Sequence, residues 1–444
     1  MPEPRTRQRK AGRGTRRSSN GRASFAERTA RFELPGGAML QVLETPGTGT
    51  VVLRGSLRAG AALDPEQRPG LAELTARALD TGTRKRNRLE IAEALDARGV
   101  SVRFVAGVLT TGFGARCIAE DFDLLSGAIV EMLREPAFPE EEIETLKQRT
   151  VGQLRQSADS TSVMSMERFY QAIYPKGHPL WTPSIPDRIA GVEACSAQEM
   201  RRFHAETFGP AQLCVTVVGD LAAERVHQHL SGLLSGWSGP SRSTEPWVDP
   251  DRPARSAGKR ITVSMPGKSN IDVLWGHTAR LTKKSPDYYA AILGNSALGG
   301  STLSSRLGVR VRDQEGLTYG IYSRFLGASL ITGPWLVSVT VAPENLEQAL
   351  RSAGEVVRTT LKKGVSAEEL QEEQEQMAGG FVVGLATNDG IAHELHDAAF
   401  YGRDPSWLDQ LADRIRAVTQ REANRALRKH VRPDDAVTIA CGPV

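Results

Sequence analysis

The segment DRIAGVEACSAQEMRRFHAETFGPAQLCVTVVGD (187–220) returns later in the chain as DRIRAVTQREANRALRKHVRPDDAVTIACGP (413–443). Both open Asp-Arg-Ile and place a valine five residues after the aspartate, at Val192 and Val418. Each runs on through an amphipathic helical pattern and closes on a β-branched strand ending in glycine, Gly219 and Gly442. A second pair, AFPEEEIETLKQ (137–148) and GVSAEELQEEQEQ (364–376), reads as two helix starts with acids in the first turn, where they complement the helix dipole. Ahead of these, residues 115–133 and 338–357 each read strand then helix. An internal duplication on this scale constrains the fold more than any single motif.

The order in each half is strands, helix pair, strand, helix, long helix, helix, strand. That order predicts an α+β fold of two homologous α/β domains. Each is a mostly antiparallel sheet with helices packed on it, and the two surround a central cleft. The predicted boundaries are 34–235 for the first domain and 259–444 for the second. A linker, 236–258, rich in Ser, Pro and Gly, lets the halves face one another. A cleft between two similar halves is a natural binding site.

The net charge of +4 belongs to one end of the chain. Residues 1–31 hold ten Lys/Arg against two acids, Glu3 and Glu27, leaving 46 Lys/Arg against 50 acids elsewhere. This stretch is Arg/Gly/Ser-rich with little to bury, so residues 1–31 are expected to form a disordered basic tail with no specific nucleic-acid role. It lacks the apolar core of a secretory signal, and no run of about 18 apolar residues offers a membrane span. A cytoplasmic location is expected, with organellar targeting by the tail left open. The four cysteines (Cys117, Cys195, Cys214, Cys441) show no CxxC spacing, which points to reduced thiols and away from a disulfide framework or cysteine metal site.

Several chemistries find no support. LGGSTLSSR (298–306) lacks the P-loop lysine, and its Gly299 and Gly300 read as a helix end or a turn beside substrate. No GxSxG elbow occurs. His227 and His229 lie two apart on a helix and cannot share a face. His393 and His396 lie three apart, beside Glu394 and Asp397, and form half of a zinc pattern. The plainer reading is a solvent-facing side of a helix whose core stripe is Ile391, Leu395, Ala398 and Ala399.

RDQEGLTYG (312–320) reads as a helix stopped by Gly316, followed by a strand, with Arg312 and Tyr319 on either side of the turn. A guanidinium and a phenol are both donors, suited to a peptide carbonyl or an oxyanion. Equally, the arginine can neutralise the helix end while the tyrosine sits in the sheet.

The duplicated domain, the linker and the segment LGGSTLSSRLGVRVRDQEGLTYGIYSRF (298–325) together resemble the pitrilysin (insulinase) family of zinc peptidases, which includes the mitochondrial processing peptidases. The resemblance covers nearly all of the chain after the tail. It implies that Arg312 and Tyr319, seven residues apart, contact substrate near the scissile bond. The family's zinc motif is H-x-x-E-H, typically within Gly-Leu-Ala-His-x-x-Glu-His and followed by Gly-Thr, with a distal glutamate about 75 residues on. This chain has Gly70-Leu71-Ala72-Glu73-Leu74-Thr75-Ala76-Arg77, then Gly82-Thr83. Glu73 and Arg77 stand where the histidines belong and Ala76 where the base belongs. The distal position falls at Gln153 or Leu154. The flanks match and the ligands do not, so Glu73 and Arg77 are expected to form an i,i+4 ion pair.

The resemblance therefore implies a non-catalytic subunit that binds no metal or other cofactor of its own. Such a chain binds extended peptide or unfolded protein and forms a heterodimer with a zinc-motif-bearing partner, to whose site it supplies Arg312 and Tyr319. Two alternatives stand beside this: a purely structural family member, and a self-sufficient metallopeptidase using His393 and His396.

Overall fold

A computed structural model describes residues 23–240 and 258–443. The first half carries strands β1 (Thr29–Leu34), β2 (Ala38–Glu44), β3 (Thr50–Leu57), β4 (Arg103–Ala106), β5 (Thr111–Ile118) and β6 (Cys214–Gly219). They form one sheet in the order β1-β2-β6-β3-β5-β4, antiparallel except for the β2–β6 pair. The second half carries β7 (Arg260–Ser264), β8 (Ile271–Thr278), β9 (Ile321–Phe325), β10 (Pro334–Val341) and β11 (Val437–Gly442), ordered β7-β11-β8-β10-β9. Here too one pair, β7–β11, is parallel. Without β1, the two sheets have the same strand order and the same single parallel pair, as the duplicated sequence predicts.

Among the described residues, seven of the eight helices from Leu71–Arg77 to Ala223–Leu234 pack on one face of the first sheet. Odd-numbered residues of β3 and β5 (Val51, Leu53, Leu57, Phe113, Cys117) point into that core. Helices of the second half do the same on the second sheet. One long helix of each half crosses over. Helix Thr161–Ile173 lays Phe169 and Ile173 against Leu274, Leu336, Val437 and Ile439 of the second sheet. Helix Asn388–Phe400 lays Ile391, Ala392, Leu395 and Ala398 against Leu43, Val52 and Val218 of the first. The halves thus exchange helices. Fully burying a side chain such as Phe169 or Leu395 contributes roughly 1.5–3 kcal/mol before entropy is counted.

Two expectations change. Residues 24–31, assigned from sequence to the tail, are structured. Ser24 and Glu27 form a capping box on the turn Phe25–Arg28, and β1 pairs along β2 from Thr29↔Leu43 to Leu34↔Ala38. The alternation Ala30, Phe32, Leu34 places apolar groups on the core side, and the surrounding arginines hid that period of two. Arg31 pairs with Asp404, and Phe25 N–H donates to Asp409, both of the second half. Residues 1–22 and most of the linker, 241–257, lie outside the described residues. The side of helix Asn388–Phe400 that carries His396 faces the other half's sheet rather than solvent. Among the described residues no helix is long and apolar enough to cross a membrane.

Candidate functional site

Helix Leu71–Arg77 begins after Gly70, whose φ of +98° explains the glycine there. Its first amides are met from six residues upstream, a cap that sequence spacing does not suggest. Asp64 Oδ2 accepts from Gly70 N–H at 2.8 Å and Oδ1 from Ala72 N–H at 2.7 Å. Burial pushes the Asp64 carboxyl up to about 6, outweighing these two hydrogen bonds. Leu71, Ala72, Leu74 and Ala76 are buried in the core, leaving Glu73 and Arg77 on the free face.

Arg77 lies 3.5 Å from Glu73, the expected i,i+4 pair. Arg77 Nη1 also donates to Gln153 Oε1 at 3.1 Å, across to helix Glu140–Ser157. Arg188, from helix Ile185–Glu193, approaches the other Glu73 oxygen at 3.5 Å. The fold therefore does bring together the positions that the family motif assigns to metal ligands, with Gln153 meeting them while Leu154 is buried. The donors are wrong for zinc. A guanidinium offers no lone pair and carries positive charge, the one carboxylate is shared by two arginines, and residue 76 is a buried methyl. Among the described residues no group of three or more His, Cys, Asp or Glu is placed to hold a metal ion. Sequence reasoning missed Arg188, although it is the Arg of the repeated Asp-Arg-Ile.

In front of this network lies a cavity of about 560 Å³, bounded by Glu73, Arg77, Arg149 and the whole of β4. β4 is the last strand of its sheet, and among the described residues no strand pairs with its outer edge. Phe104 points into the core while Val105 is 56% exposed. An open edge beside a cavity offers backbone donors and acceptors to an extended chain.

In the second half, residues Gly308–Gln314 wind as a wide, π-type helix that stops at Gly316, φ +64°. Gly316 N–H donates to Arg312 O at 3.0 Å and Leu317 N–H to Val311 O at 3.1 Å. Arg312 pairs with its neighbour Asp313 at 2.9 Å. Thr318 Oγ1 donates to Thr340 O (2.7 Å), lies 3.0 Å from Gly320 O and accepts from Gly320 N–H, which fixes the loop on either side of Tyr319. Tyr319 itself is 99% exposed. Among the described contacts, neither Arg312 nor Tyr319 reaches Glu73, Arg77 or Gln153. Gly299 is needed for packing, since a Cβ there would lie 2.5 Å from Ser323 Cβ on β9. At Gly300 a Cβ would lie 2.5 Å from Ser296 Oγ.

The alternative metal pair is not assembled. His396 Nε2 lies 2.9 Å from Ser56 Oγ and Nδ1 3.1 Å from Thr216 Oγ1, so hydroxyls of the opposite sheet occupy both nitrogens. Burial, aided by the nearby Arg54 cation, pushes this imidazole down to about 4. His393 is exposed on the same helix. His227 stacks on Phe32 and His229 meets Ser126 Oγ at 2.9 Å, both within the first half.

Comparison with known proteins agrees with this architecture. Residues 43–183 match the family described as Insulinase (Peptidase family M16), and residues 194–377 match the Peptidase M16 inactive domain. An uncharacterized zinc protease of Streptomyces coelicolor is 23% identical, over 88% of this chain and 84% of its own length. A non-peptidase homolog, YmxG, of Helicobacter pylori is 20% identical, over 86% of each. The crystal structure of a peptidase M16 inactive domain from Pseudomonas fluorescens superposes with a TM-score of 0.86 at 21% identity, covering 94% of this chain and 98% of that one. That of a Helicobacter pylori protease does so with 0.83 at 15% identity, covering 93% and 99%. With the duplicated sheets and the matching segments on one scaffold, this chain belongs to peptidase family M16, the pitrilysin or insulinase family.

Proposed function

We propose that this chain is a non-catalytic, peptide-binding member of its family, which works with a zinc-motif-bearing relative and supplies Arg312 and Tyr319 to the joint site. One observation carries the reading: the metal-ligand positions are filled by a Glu73–Arg77–Gln153 network, while the cavity before them and the open edge of β4 remain. The motif positions offer no donor set for a metal that could polarise a carbonyl, and their one carboxylate, Glu73, is engaged by Arg77 and Arg188. Holding an extended peptide needs only the edge and the cavity. The name of the YmxG relative, a non-peptidase homolog, agrees with this, although other relatives are named as zinc proteases. The fully exposed Tyr319 on its braced loop suits contact with a partner or a substrate held by one.

The test uses fluorescein-labelled unstructured peptides and the full chain. Binding without cleavage is expected for the chain alone, with or without added zinc. A mixture with a zinc-motif-bearing homologue is expected to cleave, and to lose most of that activity on Arg312→Ala or Tyr319→Phe. Cleavage by the chain alone overturns the non-catalytic reading. Full activity of the homologue in the absence of this chain overturns the partnership.

A further inference from the structure

β4 sends Phe104 into the core and Arg103 and Val105 to the opposite face of the sheet. On that face both have a glycine as their neighbour on β5. The registers Arg103↔Gly114 and Val105↔Gly112 leave no side chain beside either one. Across Gly114 stands Arg54 of β3, and Arg116 lies two residues along from Gly114 on the same face. The charged neighbours that the sheet gives Arg103 there are therefore two further arginines.

A cavity of about 600 Å³ lies over this face, with Ile331 and Phe400 of the second half on its far side. Its charged lining is Arg54, Arg103, Asp397 and two histidines, His393 and His396. The one carboxylate, Asp397, is held by Lys283 at 2.9 Å. Asp389, from the same helix, is held by Arg54 at 3.1 Å, and Glu394 lies outside the lining. His396 has both nitrogens on hydroxyls, and a protonated His393 would only add positive charge. Arg103 and Arg116, both exposed, make no ion pair or hydrogen bond among the described residues. Even Arg54 keeps a buried Nε–H without an acceptor. The charge left unanswered on this face is positive. The cavity beside Arg77 has no such bias, with four arginines and four carboxylates in its lining.

A partner for Arg103 can enter at the outer edge of β4. A strand added there sends alternate side chains to opposite faces, and the residue across from Arg103 on this face has its Cβ about 5 Å away. At that spacing the carboxylate of Asp or Glu meets the guanidinium directly, in the two-pronged geometry that arginine favours. A lysine or arginine in the same place faces Arg103 and Arg116 with no free carboxylate in the cavity lining. We infer that Arg103 selects an acidic residue at the position of a bound peptide that lies across from it on the edge of β4. The inference rests on the peptide-binding reading above and adds a substrate class to it: chains that carry Asp or Glu within an extended stretch.

The experiment measures anisotropy of rhodamine-labelled, C-terminally amidated ten-residue peptides of alternating Ser and Thr, with one central Glu, Gln or Lys. At low salt the wild-type chain is expected to bind the Glu peptide about threefold more tightly than the Gln peptide and about tenfold more tightly than the Lys peptide. That order should flatten in roughly 0.5 M salt, which screens exposed pairs. Arg103→Gln is expected to make the Glu and Gln peptides equal, and Arg103→Glu to favour the Lys peptide over the Glu peptide. Arg103 is exposed, so both variants should keep the wild-type thermal midpoint. Arg225→Gln makes the same change in net charge on helix Ala223–Leu234, which packs at the β1–β2 end of the sheet, and should keep the wild-type order. Equal binding of the three peptides, a preference that survives in folded Arg103→Gln, or one lost equally in Arg225→Gln overturns the acidic selection while the peptide-binding reading stands. Failure of all three peptides to bind wild type overturns both.

Discussion

His396 links the two halves through a group that titrates. It sits on the exchanged helix Asn388–Phe400, with both ring nitrogens on hydroxyls of the opposite sheet. Burial is the main reason its folded value is about 4, with the Arg54 cation pushing the same way and Asp397 opposing it. In an undocked helix the ring returns to about 6.5. Between those values the undocked state binds the extra proton and the docked state does not. Docking is therefore fully stabilised above about 6.5 and loses stability as pH falls toward 4. The loss is roughly 3 kcal/mol, about two orders of magnitude in the opening equilibrium. Hydrogen exchange of the amides from Glu394 to Ala399, corrected for the intrinsic pH dependence, reads that opening directly. His396→Asn keeps a donor and an acceptor but has no proton to gain, so its protection should stay nearly level across the same range. Whole-chain unfolding is a poorer readout, because buried His277 is also pushed down to about 4 and adds a slope of its own. Equal pH dependence in the wild type and the Asn variant refutes the argument.

Two further outcomes test the geometry of the first and second halves. If positions 73, 77 and 153 converge as described, the combined change Glu73→His, Ala76→Glu, Arg77→His and Gln153→Glu restores two imidazoles and a carboxylate around one point, and near-stoichiometric zinc should appear in elemental analysis of the purified chain. No zinc uptake by a folded variant means the positions do not meet. Gly299→Ala places a methyl 2.5 Å from Ser323 Cβ and 2.6 Å from its backbone nitrogen. A cost of roughly 1–3 kcal/mol in denaturant unfolding is expected, and an unchanged midpoint contradicts the packing described.

The duplication was legible because each half ends in the same helix-to-strand pattern, and the sheets then follow in the same order. The choice between Gln153 and Leu154 was within reach of the sequence as well. Ile143, Leu146, Thr150, Val151 and Leu154 form the buried stripe of helix Glu140–Ser157, which turns residue 153 outward. The helix exchange was out of reach. A stripe such as Ile391, Leu395 and Ala398 says that a helix packs but not on which sheet, so the polar side carrying His396 read as solvent-facing. β1 was masked by composition, since Arg28 and Arg31 drew residues 24–31 into the basic tail although Ala30, Phe32 and Leu34 alternate.

A metal site and the groove beside it are separable in this fold, and the energetics say why. Zinc held by side chains of helices Leu71–Arg77 and Glu140–Ser157 would tie the two together. Here the tie is a 3.1 Å hydrogen bond and two part-exposed ion pairs at 3.5 Å. Such partly solvated contacts are worth on the order of 1 kcal/mol together. That suffices only because other forces already place helix Leu71–Arg77. Leu71, Leu74 and Ala76 are almost completely buried, and Asp64 meets the first amides. Each fully buried leucine outweighs the whole polar network. The placement of Glu73 and Arg77 on the cavity wall therefore rests on the buried face behind them, not on the polar network they form.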